Sequence, residues 1–403
     1  MSTVQTVHKE HNMQEHLVGI SILLAFLLPH TNTLFLLVNP LLCLLLVSRF
    51  KKSRKWQPFV FIVLVPIFLS ILFNFQNASV KAFQSTFVIF LYFACFPFVG
   101  KVQVRNTYLY VCLAYIFISQ IVYLLGIPGL TAFFDRLYPI TDELMQHKYD
   151  NIQSNIGYGT MLDFRLGGIY HNSNHCSKYL TMLMAFFLSL NYSKKSKEVI
   201  YFILIAYGGI LLTGSRTGFV VGSLIVYLGF IRNNKISGWI RYLIWGIAIG
   251  GILYILQTGN SLRGLNIEEG LEGSANMKWE TFLYYLQTEN SLVAYLFGHL
   301  DTSLFQGGIG DVMNAFDSEY GSMTFRFGFV GVIGILLFYW NVAKRIPKSQ
   351  WFYFIILLWM ISSTIVASYR ALFVFMLLTS VIYSNNLSHN KKHTYYPPKA
   401  DNK

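Results

Sequence analysis

The 403 residues carry 31 Lys+Arg against 18 Asp+Glu, a formal net charge of +13, yet only 12% are charged and 54% are hydrophobic. A mean hydropathy of +0.47 excludes an ordinary soluble globular domain, because most of the chain prefers hydrocarbon to water. The positive charge does not point to nucleic acid either: the basic residues recur in short connectors between apolar runs, where they act as topology signals.

The N-terminus is polar up to His16 and apolar from Leu17 to Leu28. A signal peptide has this pattern, but no small-residue cleavage site follows and Pro29-His30 leads straight into another apolar run, so the segment reads as a membrane span. With about 20 residues needed to cross a bilayer, spans are predicted near 17–29, 33–48, 57–75, 82–99, 107–126 and 172–191. A second set is predicted near 199–213, 217–231, 238–257, 325–341, 351–367 and 371–384. The expected fold is therefore an all-α polytopic membrane protein of twelve transmembrane helices, one integral membrane domain over 1–403, with both termini on one side. Cys43, Cys95, Cys112 and Cys176 fall within or beside the apolar runs without CxxC spacing, which supports neither a disulfide framework nor a metal site.

Charge sets the orientation. Arg49 to Lys55, Lys101 and Arg105, Lys194 to Lys197, Arg232 to Arg241, Lys344 to Lys348 and Lys391 to Lys403 fall on one face, which is cytoplasmic by the positive-inside rule. The acids, from Asp135 to Asp163 and from Glu268 to Glu319, lie in outer connectors. Two of these connectors, 127–170 and 258–324, are long, and long connectors in a compact protein carry function or lids. In the second, Trp279, Phe282, Leu283, Leu286, Val293 and Leu296 recur at nearly helical spacing. That spacing predicts an amphipathic segment, which lies on the membrane, caps a cavity or packs on the bundle. The tail 385–403 reads as a disordered cytoplasmic end.

Even-numbered spans start at the outer face, so the positive ends of their dipoles point outward and attract anions. Cations nevertheless stand there: Lys81, Arg165, Arg216, Arg326 and Arg370. For Lys81 and Arg326, pairing with a loop acid or snorkelling to lipid phosphates is a sufficient account. Arg165, Arg216 and Arg370 read instead as convergent guanidinium groups for a phosphate or carboxylate. Arg165 is followed by Gly167 and Gly168, which permit close backbone approach, and by Asn172 and Asn174, either of which caps the next helix. Ser215 and Thr217 flank Arg216 in a Gly-bounded reversal rich in donors. For proton transfer the candidates are Glu319 and Asp317, with pairing to Arg326 or Arg370 as the competing role. His171 is a general base or a capping or hydrogen-bonded histidine, and His299 is a further candidate. A transporter or flippase would carry ionisable or broken-helix features near mid-membrane; the predicted spans hold few, with Lys178 near an outer end.

Arg165 to Asn174, Ser215-Arg216-Thr217-Gly218 and the stretch from Gly298 to Gly328, set in a twelve-span plan with a large late outer loop, resemble the O-antigen polymerase and ligase superfamily of bacterial envelope proteins. The similarity covers roughly residues 160 to 340, and the first five spans match only as generic hydrophobic segments. The resemblance implies a glycosyltransferase working outside the cytoplasm on undecaprenyl-pyrophosphate-linked sugars, with no cofactor, metal or nucleotide sugar. It implies that Arg165 and Arg216 hold the donor pyrophosphate, and Arg370 fits the same set. Its expected partners are the lipid-linked oligosaccharide, the bilayer, and a chain-length regulator and flippase of the same pathway. Ligases of the superfamily resemble one another in a His-Asn pair in the late loop; here the place reads Asp317-Ser318-Glu319, which favours a repeat-unit polymerase.

Overall fold

The computed structural model describes residues 2–28, 32–49, 51–52, 57–76, 78–96, 98–99, 104–139, 166–192, 197–232, 276–301, 319–361, 365 and 368–393. Among them the regular structure is helical, apart from β1 (Lys51–Lys52) and β2 (Phe98–Val99), an antiparallel pair that ties two basic connectors together. Helices α1 (Ser2–Leu27), α2 (Asn32–Arg49), α3 (Gln57–Asn74), α4 (Val80–Cys95) and α5 (Asn106–Leu125) follow the first five predicted spans. Gly126, at φ 60°, closes α5, and Pro128 at the first helical position opens α6 (Pro128–Leu137) within the first long connector.

Next come α7 (Ser173–Leu190), α8 (Lys197–Leu212) and α9 (Arg216–Val226), which runs on as a π-helical turn over Tyr227–Ile231. The late connector contributes α10 (Asn276–Thr288) and α11 (Leu292–Phe297), and the chain ends with α12 (Glu319–Arg345), a 3-10 segment (Lys348–Ile361) and α13 (Tyr369–His393). The predicted span at 238–257 lies outside the described residues. Among the described residues, Asn106–Leu125 and Tyr320–Arg345 are long and apolar enough to cross a membrane, and shorter apolar stretches include Val60–Asn74 within α3 and Arg370–Ser384 within α13.

One expectation needs correction: the tail taken as disordered from 385 is helical through His393, as a continuation of α13. The spans were expected to hold few breaks, and α12 has one, at Gly328 (φ 66°, ψ −179°). No residue with a Cβ sits well there, because that atom would collide with the Leu296 backbone.

Burial sorts the helices into two kinds. α7 is buried on every side from Cys176 to Ser189, and α13 from Arg370 to Ser384, as expected of helices that are apolar all round. Around them, helices bury one stripe and expose another: α3 buries Val63, Ile67, Ser70 and Asn74 while Phe61, Val65, Phe68 and Leu72 face outward. α12 crosses α3 closely at Gly334, where an added Cβ would lie 2.6 Å from the Ile62 carbonyl oxygen. Trp359 Nε1 donates to Thr181 Oγ1 (2.9 Å) and fastens the 3-10 segment to α7.

Helix ends gather by the alternation of the chain. At one end lie the β pair, the Glu15–Arg105 ion pair (3.5 Å), the His16–Tyr108 hydrogen bond (2.6 Å) and the Asn106–Asn191 amide pair (3.2 Å). α1, α4 and α5 run to or from that end. Their other termini meet the segments that carry the candidate site.

Candidate functional site

The two strongest sequence motifs touch. Asn172 caps α7, its Oδ1 accepting from the N–H groups of Asn174 (2.9 Å) and His175 (3.3 Å). Ser215 caps α9, its Oγ accepting from Gly218 N (3.3 Å) and donating to Asn174 Oδ1 (2.9 Å). One hydroxyl thus joins the starts of two helices. Leu166 N donates to Leu212 O (3.1 Å), and Gln120 Nε2 donates to the carbonyls of Leu166 (3.1 Å) and Gly209 (3.0 Å), which lashes the Gly-rich segment to α5 and α8. Gly218 lets the Ser177 side chain of α7 pack directly on the backbone of α9: a Cβ there would overlap Ser177 Oγ.

Arg165 lies outside the described residues, one position before Leu166. Arg216 is the first residue of α9, and the description covers its backbone; Thr217 follows, half-buried. Asp317 also lies outside the described residues, and Glu319 opens α12 with only its backbone described.

Arg370 is buried, 4% exposed. Its Nη2 donates to the carbonyls of Phe26 (3.0 Å) and Leu28 (3.3 Å), at the C-terminus of α1. Its guanidinium carbon lies 5.0 Å from the ring centres of both Tyr170 and Tyr179, which stack at 4.7 Å. This geometry explains how a cation stands at the start of α13: the negative end of α1 and two aromatic faces offset the unfavourable dipole. Arg326 is satisfied differently, with Nη2 donating to Ser85 Oγ and Thr86 Oγ1 on α4, each at 2.9 Å. Lys81 is exposed. Lys178, which the site reading left out, is buried at 1% exposure on α7 and lies with Arg370 within electrostatic reach of His175. A lone lysine in an apolar run was its sequence signal.

His171 adopts φ 53°, and its Nε2 hydrogen-bonds the Tyr138 carbonyl (2.5 Å). Burial pushes its pKa down, against an opposing pull from that carbonyl and from Asp135. A neutral ring with the proton on Nε2 fits this setting, and Asn172 rather than His171 is the cap of α7.

The late connector forms a second cluster. Glu289 pairs with His299 Nε2 and accepts from Ser291 N (2.8 Å). Burial raises the Glu289 pKa, but the N–H groups of Ser291 and Asn290 and the His299 partner outweigh it, so the carboxyl is held below its ordinary value. From there the chain passes over the break in α12. His299 N donates to Phe325 O (2.7 Å) and Leu300 N to Arg326 O (3.1 Å). Asn74 Nδ2 donates to Gly298 O (2.9 Å), Ser70 Oγ to Arg326 O (2.8 Å), and Asp301 Oδ2 accepts from Ser79 N (2.9 Å). The amphipathic segment is two helices, α10 and α11; α10 packs on α12 through Tyr285 against Phe325 (5.2 Å), whereas Val293 and Leu296 of the predicted apolar row are exposed. No cluster of three or more His, Cys, Asp or Glu suited to a metal occurs among the described residues.

The chain matches no protein-family model, no curated protein and no solved structure.

Proposed function

We propose that the chain is a polytopic membrane glycosyltransferase of twelve spans, with both termini cytoplasmic, in the bacterial plasma membrane. It polymerises undecaprenyl-pyrophosphate-linked oligosaccharide repeat units into O-antigen, capsular or exopolysaccharide at the outer face. The observation that carries this reading is the Ser215–Asn174 hydrogen bond, 2.9 Å long, which sets the N-terminus of α7 beside the N-terminus opened by Arg216. Membrane residence is supported by the outward apolar stripes of α2, α3, α8 and α12, and orientation by the basic connectors at the end opposite this site.

In the reaction, an acceptor sugar hydroxyl attacks the anomeric carbon of the donor, the C–O bond to pyrophosphate breaks, and negative charge grows on the leaving group. Arg165, Arg216 and the two helix N-termini stabilise that charge in place. Arg370 acts as a positioning residue, holding the start of α13 to the end of α1. The hydroxyl proton goes to a base of the late loop: Glu319 or Asp317, or His299, whose ring Glu289 orients.

The test is a surface-polysaccharide gel ladder from deletion cells complemented with wild type or Arg216→Ala. Lipid-linked single repeat units that only wild type extends support the polymerase; polymer of normal length from an Arg216→Ala protein at wild-type level in the membrane overturns it. Long polymer retained on its carrier in the deletion strain is the ligase result.

A further inference from the structure

We propose that α6 is an in-plane helix whose open face seats in the outer leaflet, at the boundary between lipid headgroups and acyl chains. The inference rests on the membrane reading above. α6 carries its residues in three strips. Phe134, Asp135 and Tyr138, at helical spacing, face the bundle: Phe134 packs on Tyr115 (5.7 Å) and Tyr123 (6.2 Å), and Tyr123 Oη donates to Asp135 Oδ1 (2.7 Å). Tyr138 Oη donates to Leu27 O (2.7 Å), which fixes the far end of the helix to α1. Beside this strip a second apolar one is open: Leu130, Phe133 and Leu137 are 46%, 53% and 40% exposed. Ala132 and the charged Arg136 occupy the opposite edge and are exposed.

One occupant fits that order. The open strip continues the outward row of α5, in which Ile118 and Leu125 are exposed, through Ile127, without a polar residue between Leu125 and Leu130. Among the described residues, α5 is one of two helices both long and apolar enough to span a bilayer. The turn at Gly126 and Pro128 redirects the chain where that span ends. A helix bent into the membrane plane there keeps Leu130, Phe133 and Leu137 against acyl chains and lifts Arg136 to the phosphates.

The experiment places a fluorophore on single added cysteines, Leu130→Cys, Phe133→Cys, Arg136→Cys and Ile118→Cys, in the full chain in lipid nanodiscs; the native cysteines are buried. Nitroxide lipids spin-labelled near the headgroup or deep in the chain, and aqueous iodide, are the quenchers. The expected result is quenching of positions 130 and 133 several-fold stronger by the shallow nitroxide than by iodide, with the reverse at 136. Equal iodide quenching at 130, 133 and 136 overturns the proposal, as does protection of 130 and 133 from both quenchers, which means that protein covers the strip. Ile118→Cys separates the two readings: if it too fails to sense the deep nitroxide, membrane residence itself fails.

Discussion

The two clusters at the candidate end are built on opposite plans. Around Asn174 and Ser215, helix starts are capped by neighbouring side chains, and the helices that bear them meet closely enough to require glycine at 218. Around Gly328 a helix is broken, and the carbonyls freed by the break are answered by Ser70, His299 and Leu300, one far away in sequence and two from the adjoining loop. The first plan fixes backbone donors beside a cation and contains no titrating side chain in its central bond. The second depends on a turn of chain anchored by Glu289, whose carboxyl is held below its ordinary value.

Four substitutions sharpen or break that contrast, from the largest effect to the smallest. Gly328→Ala combines a left-handed backbone with a clash against Leu296, so a loss of roughly 3 kcal/mol or more is expected. Thermal unfolding in detergent checks it, and an unchanged midpoint would show that the break is not a fixed feature. Arg370→Met leaves the Phe26 and Leu28 carbonyls without their charged donor, at an expected cost of about 1.5–3 kcal/mol; proteolysis between α1 and α2 should accelerate.

Ser215→Ala removes a cap and the bridge to Asn174, with about 1 kcal/mol expected for the cap. A double-mutant cycle with Asn174→Ala should return a coupling energy above zero, and strict additivity would dissolve the link between the motifs. Last comes acid. The native Glu289 carboxyl sits below its unfolded value, so its contribution is complete above that value, about pH 4.3, and is lost as pH falls through the native one. Wild type should therefore lose stability in that acid window more steeply than Glu289→Gln.

Much of the helical plan was legible because apolar runs are long and their ends are marked by charge. A cap at Asn172 or Asn174 was readable because both lie at a helix start, whereas Ser215, read only as part of a donor-rich reversal, proves to be the cap of α9. Their meeting was not readable, since the Asn174–Ser215 bond spans 41 positions and depends on how α7 leans on α9. Arg370 was placed correctly at a helix start, but its carbonyl partners on α1 lie at the other extreme of the sequence. The break at Gly328 sits in an apolar run that composition alone reads as continuous. His299 was visible as a candidate; Glu289 was visible only as one acid among many in the outer connectors.

The bond from Arg370 to Phe26 joins residues 344 positions apart. On a ribosome working at about 5–20 residues per second, roughly 20 to 70 seconds separate the making of the acceptor from the making of its donor. Until then the end of the first helix is held by Tyr138 Oη on Leu27 O and Tyr170 Oη on Phe26 O, while the seam that α13 fills stays open. The emergence of α13 is therefore the step that fills that seam, so ribosomes stalled before position 370 should release products that quality-control proteases recognise as unfinished.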